Sequence, residues 1–306
     1  MLALLLAALL AVPAAAPADT TLPFYPGPVE FVEADGRQLA VYDTGGDGAP
    51  VLLIHGLGTN LSVWRGTIPA LEAAGRRVVA LDLPGYGLSE KEGVSGTMSD
   101  FAAAVLGVAD ALCLRQPDVV GLSMGGQVAL TLALEHPDRV GRLALLSPAG
   151  VETFTDAEAT LLTSLVTPAA VQNTTEAQAE TNTRANFAAY DEDRDGWILE
   201  QRRAVADRDD FPDYAAANAA SVAGMLGGPV AGRLAEVGAP TLVLYGAGDA
   251  LIPNRYLHPA LTTADVAGAA RAIPGAEVHL VEGAGHLVML ERPDAVHAHL
   301  VRFLGE

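Results

Sequence analysis

Apolar residues fall along this chain in two rhythms. Short runs at 50–55, 77–82, 118–122, 142–147, 241–245 and 277–282 are mostly apolar on both alternating faces, the pattern of central strands covered on two sides. Between them, apolar positions recur every three or four residues over 62–74, 100–114, 124–135, 264–272 and 293–304, which predicts helices. Upstream, 29–34 and 38–43 flank Asp35-Gly36 and read as a β-hairpin. Strand alternating with helix predicts an α/β fold: a mostly parallel eight-stranded sheet with right-handed crossovers, helices on both faces, and one antiparallel hairpin in front.

The rhythm stops at 151–232. That stretch has no convincing strand, is rich in Ala, Thr, Asn and acids, and reads as several helices. The predicted organisation is a core of 19–150 and 233–306 with an inserted helical cap at 151–232. Ahead of the core, Leu2 to Val12 is an unbroken apolar run followed by Pro13 and small residues. Such a run is too short to span about 30 Å of hydrocarbon, so no stable membrane span is expected. It fits a signal-peptide apolar region, with Ala16-Pro17-Ala18 as cleavage site and export to the periplasm or medium. No Lys or Arg precedes it, which leaves an uncleaved, membrane-tethering N-terminus as the rival.

Composition narrows the partners. Acids outnumber bases 37 to 18 over 306 residues, a formal charge of −19, and such a surface repels phosphate backbones. Nucleic acid is thereby disfavoured, and a small-molecule substrate is expected; the sequence carries no reading of oligomeric state. Lys91 is the only lysine. Cys113 is the only cysteine, so no internal disulfide can form, and its apolar surroundings read as core.

Four clusters carry candidate chemistry. Gly121-Leu122-Ser123-Met124-Gly125-Gly126 lies between a predicted strand and helix, where a serine at a tight turn projects its oxygen above the sheet and its neighbours must be small. His55-Gly56-Leu57-Gly58 follows another strand; the backbone N–H of Leu57, paired with that of Met124, suits a developing oxyanion. Gly56 and Trp64 are placed at the substrate pocket. Asp249 and His286 each sit in a Gly-rich loop after a strand, giving the order Ser, Asp, His. His55 reads as a loop brace, and Asp82 as belonging to the Pro84-Gly85 turn. Asp191, Asp193, Asp195 and Gly196 match the start of a calcium loop, but Arg202 stands where a bidentate Glu is required. No metal and no cofactor are assigned.

Together, HGLG, LDLPGYGLS, GLSMGG, LYGAGDALIP and GAGHLVMLERPD resemble the α/β-hydrolase superfamily, in its branch of carboxylesterases and ring-cleavage-product hydrolases. The resemblance implies a cap roofing the site, with Leu57, Trp64 and Met124 lining the pocket. It also implies that Tyr190-Asp191 opens a cap helix; the segment 254–267 departs from the family pattern in being longer than usual. The expectation is a serine hydrolase cleaving a carboxylic ester through an acyl-enzyme. The alternatives are carbon–carbon hydrolysis of a diketone, with Arg184 as the cap cation, and a non-catalytic binding protein.

Overall fold

The sheet begins with a two-residue turn. Strands β1 (Glu30–Ala34) and β2 (Arg37–Asp43) pair antiparallel across Asp35 and Gly36, whose φ angles of 51° and 73° are those a primed hairpin turn demands. Six further strands complete it: β3 (Pro50–Ile54), β4 (Arg77–Leu81), β5 (Asp118–Leu122), β6 (Leu143–Leu146), β7 (Thr241–Gly246) and β8 (Glu277–Val281). Their order is β1-β2-β4-β3-β5-β6-β7-β8, antiparallel at the β1–β2 and β2–β4 pairs and parallel elsewhere. This is the mostly parallel eight-stranded sheet that the apolar runs predict. The computed structural model describes residues 20–305, so the signal-peptide reading of 1–18 lies outside the described residues.

Helices cover both faces. The chain-order set starts with α1 (Thr67–Ala73), α2 (Met98–Ala111) and α3 (Met124–Glu135). Between β6 and β7 come α4 (Asp156–Leu165), α5 (Pro168–Gln172), α6 (Glu176–Arg184), α7 (Glu192–Asp195), α8 (Trp197–Ala206) and α9 (Phe211–Gly227). The last three are α10 (Thr263–Ala270), α11 (Val288–Glu291) and α12 (Pro293–Gly305). Successive side chains of β3 to β7 feed two separate apolar layers. Leu52, Ile54 and Val119 join α2, α3 and α10 on one face; Leu53, Val120 and Leu122 join α1, α11 and α12 on the other. Parallel strands buried on both faces must be apolar throughout, which is why their sequence shows no alternation.

One helix ends earlier than its pattern suggests. α2 stops at Ala111, and Cys113 sits in a left-handed turn (φ 59°) whose N–H reaches Asp110 O. Cys113 is therefore exposed, and the reading of it as a core residue is corrected: the turn that ends the helix rotates it outward.

Candidate active site

The turn between β5 and α3 forces Ser123 into an unusual backbone, φ 52° and ψ −116°. A non-glycine residue holds such a conformation only where its surroundings fix it. Here they do: Ser123 N–H donates to Leu146 O at 2.9 Å, while Ser123 O accepts from Gly126 N at 2.9 Å and Ala149 N at 3.0 Å. Space explains the glycines. A Cβ on Gly121 would stand 2.4 Å from Gly125 O, and one on Gly125 would stand 2.2 Å from Ile54 O. The turn thus lifts Ser123 to the cavity wall at the N-terminus of α3, whose dipole favours negative charge.

The candidate acid and base, Asp249 and His286, are in contact. His286 Nδ1 lies 2.8 Å from Asp249 Oδ2, and a carboxylate only accepts, so Nδ1 carries the proton. Nε2 is left free for proton transfer. Asp249 is itself fixed, its Oδ1 accepting from Leu251 N at 2.8 Å and Ile252 N at 3.0 Å. His286 is nearly buried, and its loop is held from the helical segment by Asn186 O, which accepts from His286 N at 2.8 Å. Glu291 clamps the same loop, its carboxylate accepting from Gly285, Ala188 and Ala189 amides. Asn186 lies in no motif, and Glu291, though inside GAGHLVMLERPD, carried no role there.

The loop after β3 passes close to the serine: a Cβ on Gly56 would lie 3.2 Å from Ser123 Cβ. Among the described residues the Leu57 amide donates to no protein acceptor, and Met124, as first residue of α3, has no carbonyl one turn behind it. Two free N–H groups thus flank Ser123. His55 holds this loop rather than facing substrate. Its Nε2 accepts from Leu83 N at 3.0 Å, so Nδ1 is the protonated nitrogen and donates to Gly56 O at 2.9 Å. Complete burial pushes its pKa down to about 4, keeping the ring neutral.

Asp82 braces the loop after β4 in a similar way. Fully buried, it accepts from Leu61 N at 2.8 Å, Leu88 N at 2.9 Å and the Tyr25 hydroxyl. Burial raises its pKa to about 6 despite those bonds. Nearby, Lys91 is buried with Nζ bonded to Gly87 O and Ser89 O and ion-paired to Asp210 at 3.0 Å, just ahead of α9. Gln127 on α3 adds a second tie, donating to Met225 O and Gly228 O, both at 2.9 Å.

Ser123 and His286 line one cavity of about 980 Å³, walled by Gly56, Leu57 and residues of the helical segment. Two expected lining residues are elsewhere. Trp64 is fully buried in the apolar layer under β3 and β4, because the short helix Leu61–Trp64 turns its side chain into the core. The Met124 side chain is likewise buried in the opposite layer, leaving only its amide at the site. Arg184 is not a cavity residue either: half-exposed, it pairs with Glu180 and Glu192 and lies over the Tyr190 ring. Two arginines line the cavity: Arg203, which is paired with Glu176, and Arg202, whose Nη1 donates to Thr183 Oγ1 at 2.7 Å and which has no carboxylate partner among the described residues. Burial lowers its pKa. The signal for it was helical: Leu199, Arg202 and Val205 recur every three residues on α8, and Leu199 and Val205 are buried.

Tyr214 and Asn218 of α9 also reach the cavity. The Tyr214 hydroxyl and Asn218 Nδ2 stand 3.8 and 3.9 Å from where a Gly58 Cβ would be. Burial raises the Tyr214 pKa, so it remains a neutral donor. The acidic run serves helix ends: Asp191 caps α7, accepting from Arg194 N at 3.1 Å, and buried Asp195 pairs with Arg194. Among the described residues no three His, Cys, Asp or Glu side chains group as metal ligands.

The family model described as alpha/beta hydrolase fold matches residues 49–293. A 2-hydroxy-6-oxononadienedioate/2-hydroxy-6-oxononatrienedioate hydrolase of Paraburkholderia phymatum is 30% identical over 295 residues, covering 89% of this chain and 93% of that one. The dihydrolipoyllysine-residue acetyltransferase component of the acetoin cleaving system of Pseudomonas putida is 31% identical over 283 residues, 89% of this chain and 68% of that one. Among solved structures, the enol-lactonase of Burkholderia xenovorans aligns with TM-score 0.73 and 28% identity, over 90% of this chain and all of that one (100%).

Proposed function

The chain belongs to the α/β-hydrolase fold family, and on that premise we propose that it is a serine hydrolase cleaving a carboxylic ester through an acyl-enzyme. The observation that carries the reading is the Asp249–His286 pair at 2.8 Å in the wall of the cavity that Ser123 also lines. In this mechanism Ser123 Oγ attacks the carbonyl carbon while His286 Nε2 takes its proton. Asp249 holds the imidazolium, and the Leu57 and Met124 amides receive the oxyanion. Collapse breaks the ester C–O bond, with His286 returning the proton to the leaving alcohol. Water, deprotonated by His286, then hydrolyses the acyl-enzyme. Every proton is handled by protein groups, and α4 to α9 act as the cap that excludes solvent.

A second reading is favoured by Arg202. An unpaired guanidinium in a partly apolar cavity calls for an anion. The same triad acting on a carbon–carbon bond beside a ketone, in a substrate bearing a carboxylate, fits that demand. The Paraburkholderia relative is named for such a dienedioate.

Purified protein treated with a fluorophosphonate probe, with a Ser123→Ala control, tests the first step. Absence of wild-type labelling refutes the activated serine. Turnover of p-nitrophenyl esters of rising chain length then separates the readings, since labelling without ester turnover shifts the assignment to the acidic diketone. Export belongs to the proposal too: N-terminal sequencing of the native protein is expected to start near Asp19, and retention of Met1 contradicts it.

A further inference from the structure

Seven large hydrophobic side chains are exposed among the described residues, and five of them sit on two segments: Leu161 and Leu165 on α4, and Leu251, Tyr256 and Leu261 in the loop after Asp249. Exposure is heavy, reaching 62% at Leu165 and 80% at Tyr256. The two segments are joined. His258 of the loop lies 3.4 Å from Glu158 Oε1 at the start of α4, and it also binds Glu152, which accepts from Asn254 N at 2.8 Å. Leu161 and Leu165 lie three and seven residues beyond Glu158, so the helical repeat puts them on the same side of α4 as that contact.

This surface is continuous with the cavity. Leu162, Leu165, Val166 and Leu251 line it, so two of the five exposed residues, Leu165 and Leu251, stand at its mouth. Beyond the first turn of α4 and the Glu152–His258–Glu158 contact, the rim is almost without charge where the rest of the chain is not. Residues 159–175 hold no Asp, Glu, Lys or Arg in a protein of formal charge −19, and the loop 251–261 holds only Arg255, stacked on Tyr256. A contiguous exposed apolar patch marks an interaction site. An almost uncharged, leucine-bearing rim on a strongly acidic protein selects an electrically neutral apolar phase and disfavours an anionic one.

We propose that α4 and the 251–261 loop form a docking surface for a zwitterionic lipid–water interface, at which the cavity mouth opens. Docking itself does not depend on which bond Ser123 attacks; delivery of an amphiphilic substrate from lipid into the cavity rests on the hydrolase reading.

Co-sedimentation with phosphatidylcholine vesicles tests it, using the catalytically silent Ser123→Ala protein so that binding is read without turnover. The Ser123→Ala protein is expected to pellet with the vesicles, with little dependence on salt. Adding Leu161→Glu and Tyr256→Glu, neither of which lines the cavity, is expected to lower partitioning about tenfold. The equally acidic but distant pair Leu280→Glu on β8 and Val301→Glu on α12 is expected to leave it unaltered. Residues 1–18 are common to all forms, so equal binding by parent and rim variant overturns the proposal, as does no binding by either. Stronger retention on phosphatidylglycerol vesicles also overturns it. So does a dimer, seen by light scattering, that the rim substitutions dissolve, since the occupant would then be a second copy.

Discussion

His55→Asn probes the brace behind the loop that carries Gly56 and Leu57. The Asn side-chain nitrogen stands near the place of Nδ1 and keeps a donor for Gly56 O, but nothing replaces Nε2 as acceptor for Leu83 N. A buried amide left without a partner costs about 1–3 kcal/mol, so the variant is less stable at pH 7. The pH dependence is the sharper test. The folded-state pKa of His55 is depressed from 6.5 to about 4, so the folded protein excludes a proton that the unfolded chain binds. Its neutral-state contribution is fully present above pH 6.5 and is lost as pH falls towards 4, about 3 kcal/mol over the window. Asp82 acts in the opposite sense: its pKa is raised to about 6, so its ionised form burdens the fold at neutral pH and acidification relieves that burden. Asp82 is present in both proteins and cancels in their difference. Urea unfolding of the parent and His55→Asn proteins at pH 7, 5.5 and 4 is therefore expected to show a gap that falls by about 3 kcal/mol, closing or changing sign by pH 4. A gap constant across that range refutes the account of a neutral, proton-excluding ring.

Gly121→Ala drives a Cβ to 2.4 Å from Gly125 O and 2.7 Å from Gly126 Cα, both backbone atoms, and is expected to lose more than about 3 kcal/mol, read as collapsed soluble yield or a much lower Tm. Asp249→Asn leaves His286 without its carboxylate and is expected to lower kcat by ~10⁴ with KM little changed, measured on a short p-nitrophenyl ester. Arg202→Met is expected to raise KM for a carboxylate-bearing substrate by about two orders of magnitude and leave a neutral ester nearly unaffected; equal effects on both would remove Arg202 from substrate recognition.

The sheet was legible because its signal is redundant. The central parallel strands are apolar on both faces and the loops at the carboxyl ends of β5, β7 and β8 are glycine-rich, so strand positions and the Ser123, Asp249 and His286 loops emerge from the same pattern. Lining residues were not legible, for a geometric reason. Trp64 and Leu57 lie seven residues apart after the same strand, yet one short helix turns the first into the core and leaves the second at the cavity. Arg184 and Arg202 each lie on a helix between β6 and β7, but only the second falls on an apolar stripe. The decisive information was which helix face points inward, and that depends on how α6, α8 and α9 pack against one another, a property of no single segment. Asn186 and Glu291 were invisible for the same reason: they act through backbone amides brought together only by the fold.

Lys91, the only lysine of the chain, has its ammonium enclosed by two carbonyls and Asp210. For a protease that cuts only after lysine, the whole polypeptide therefore offers a single scissile position, and the folded state hides it. Cleavage into two fragments, splitting the chain after residue 91, becomes a built-in clock for the opening of the loop that ties the core to α9.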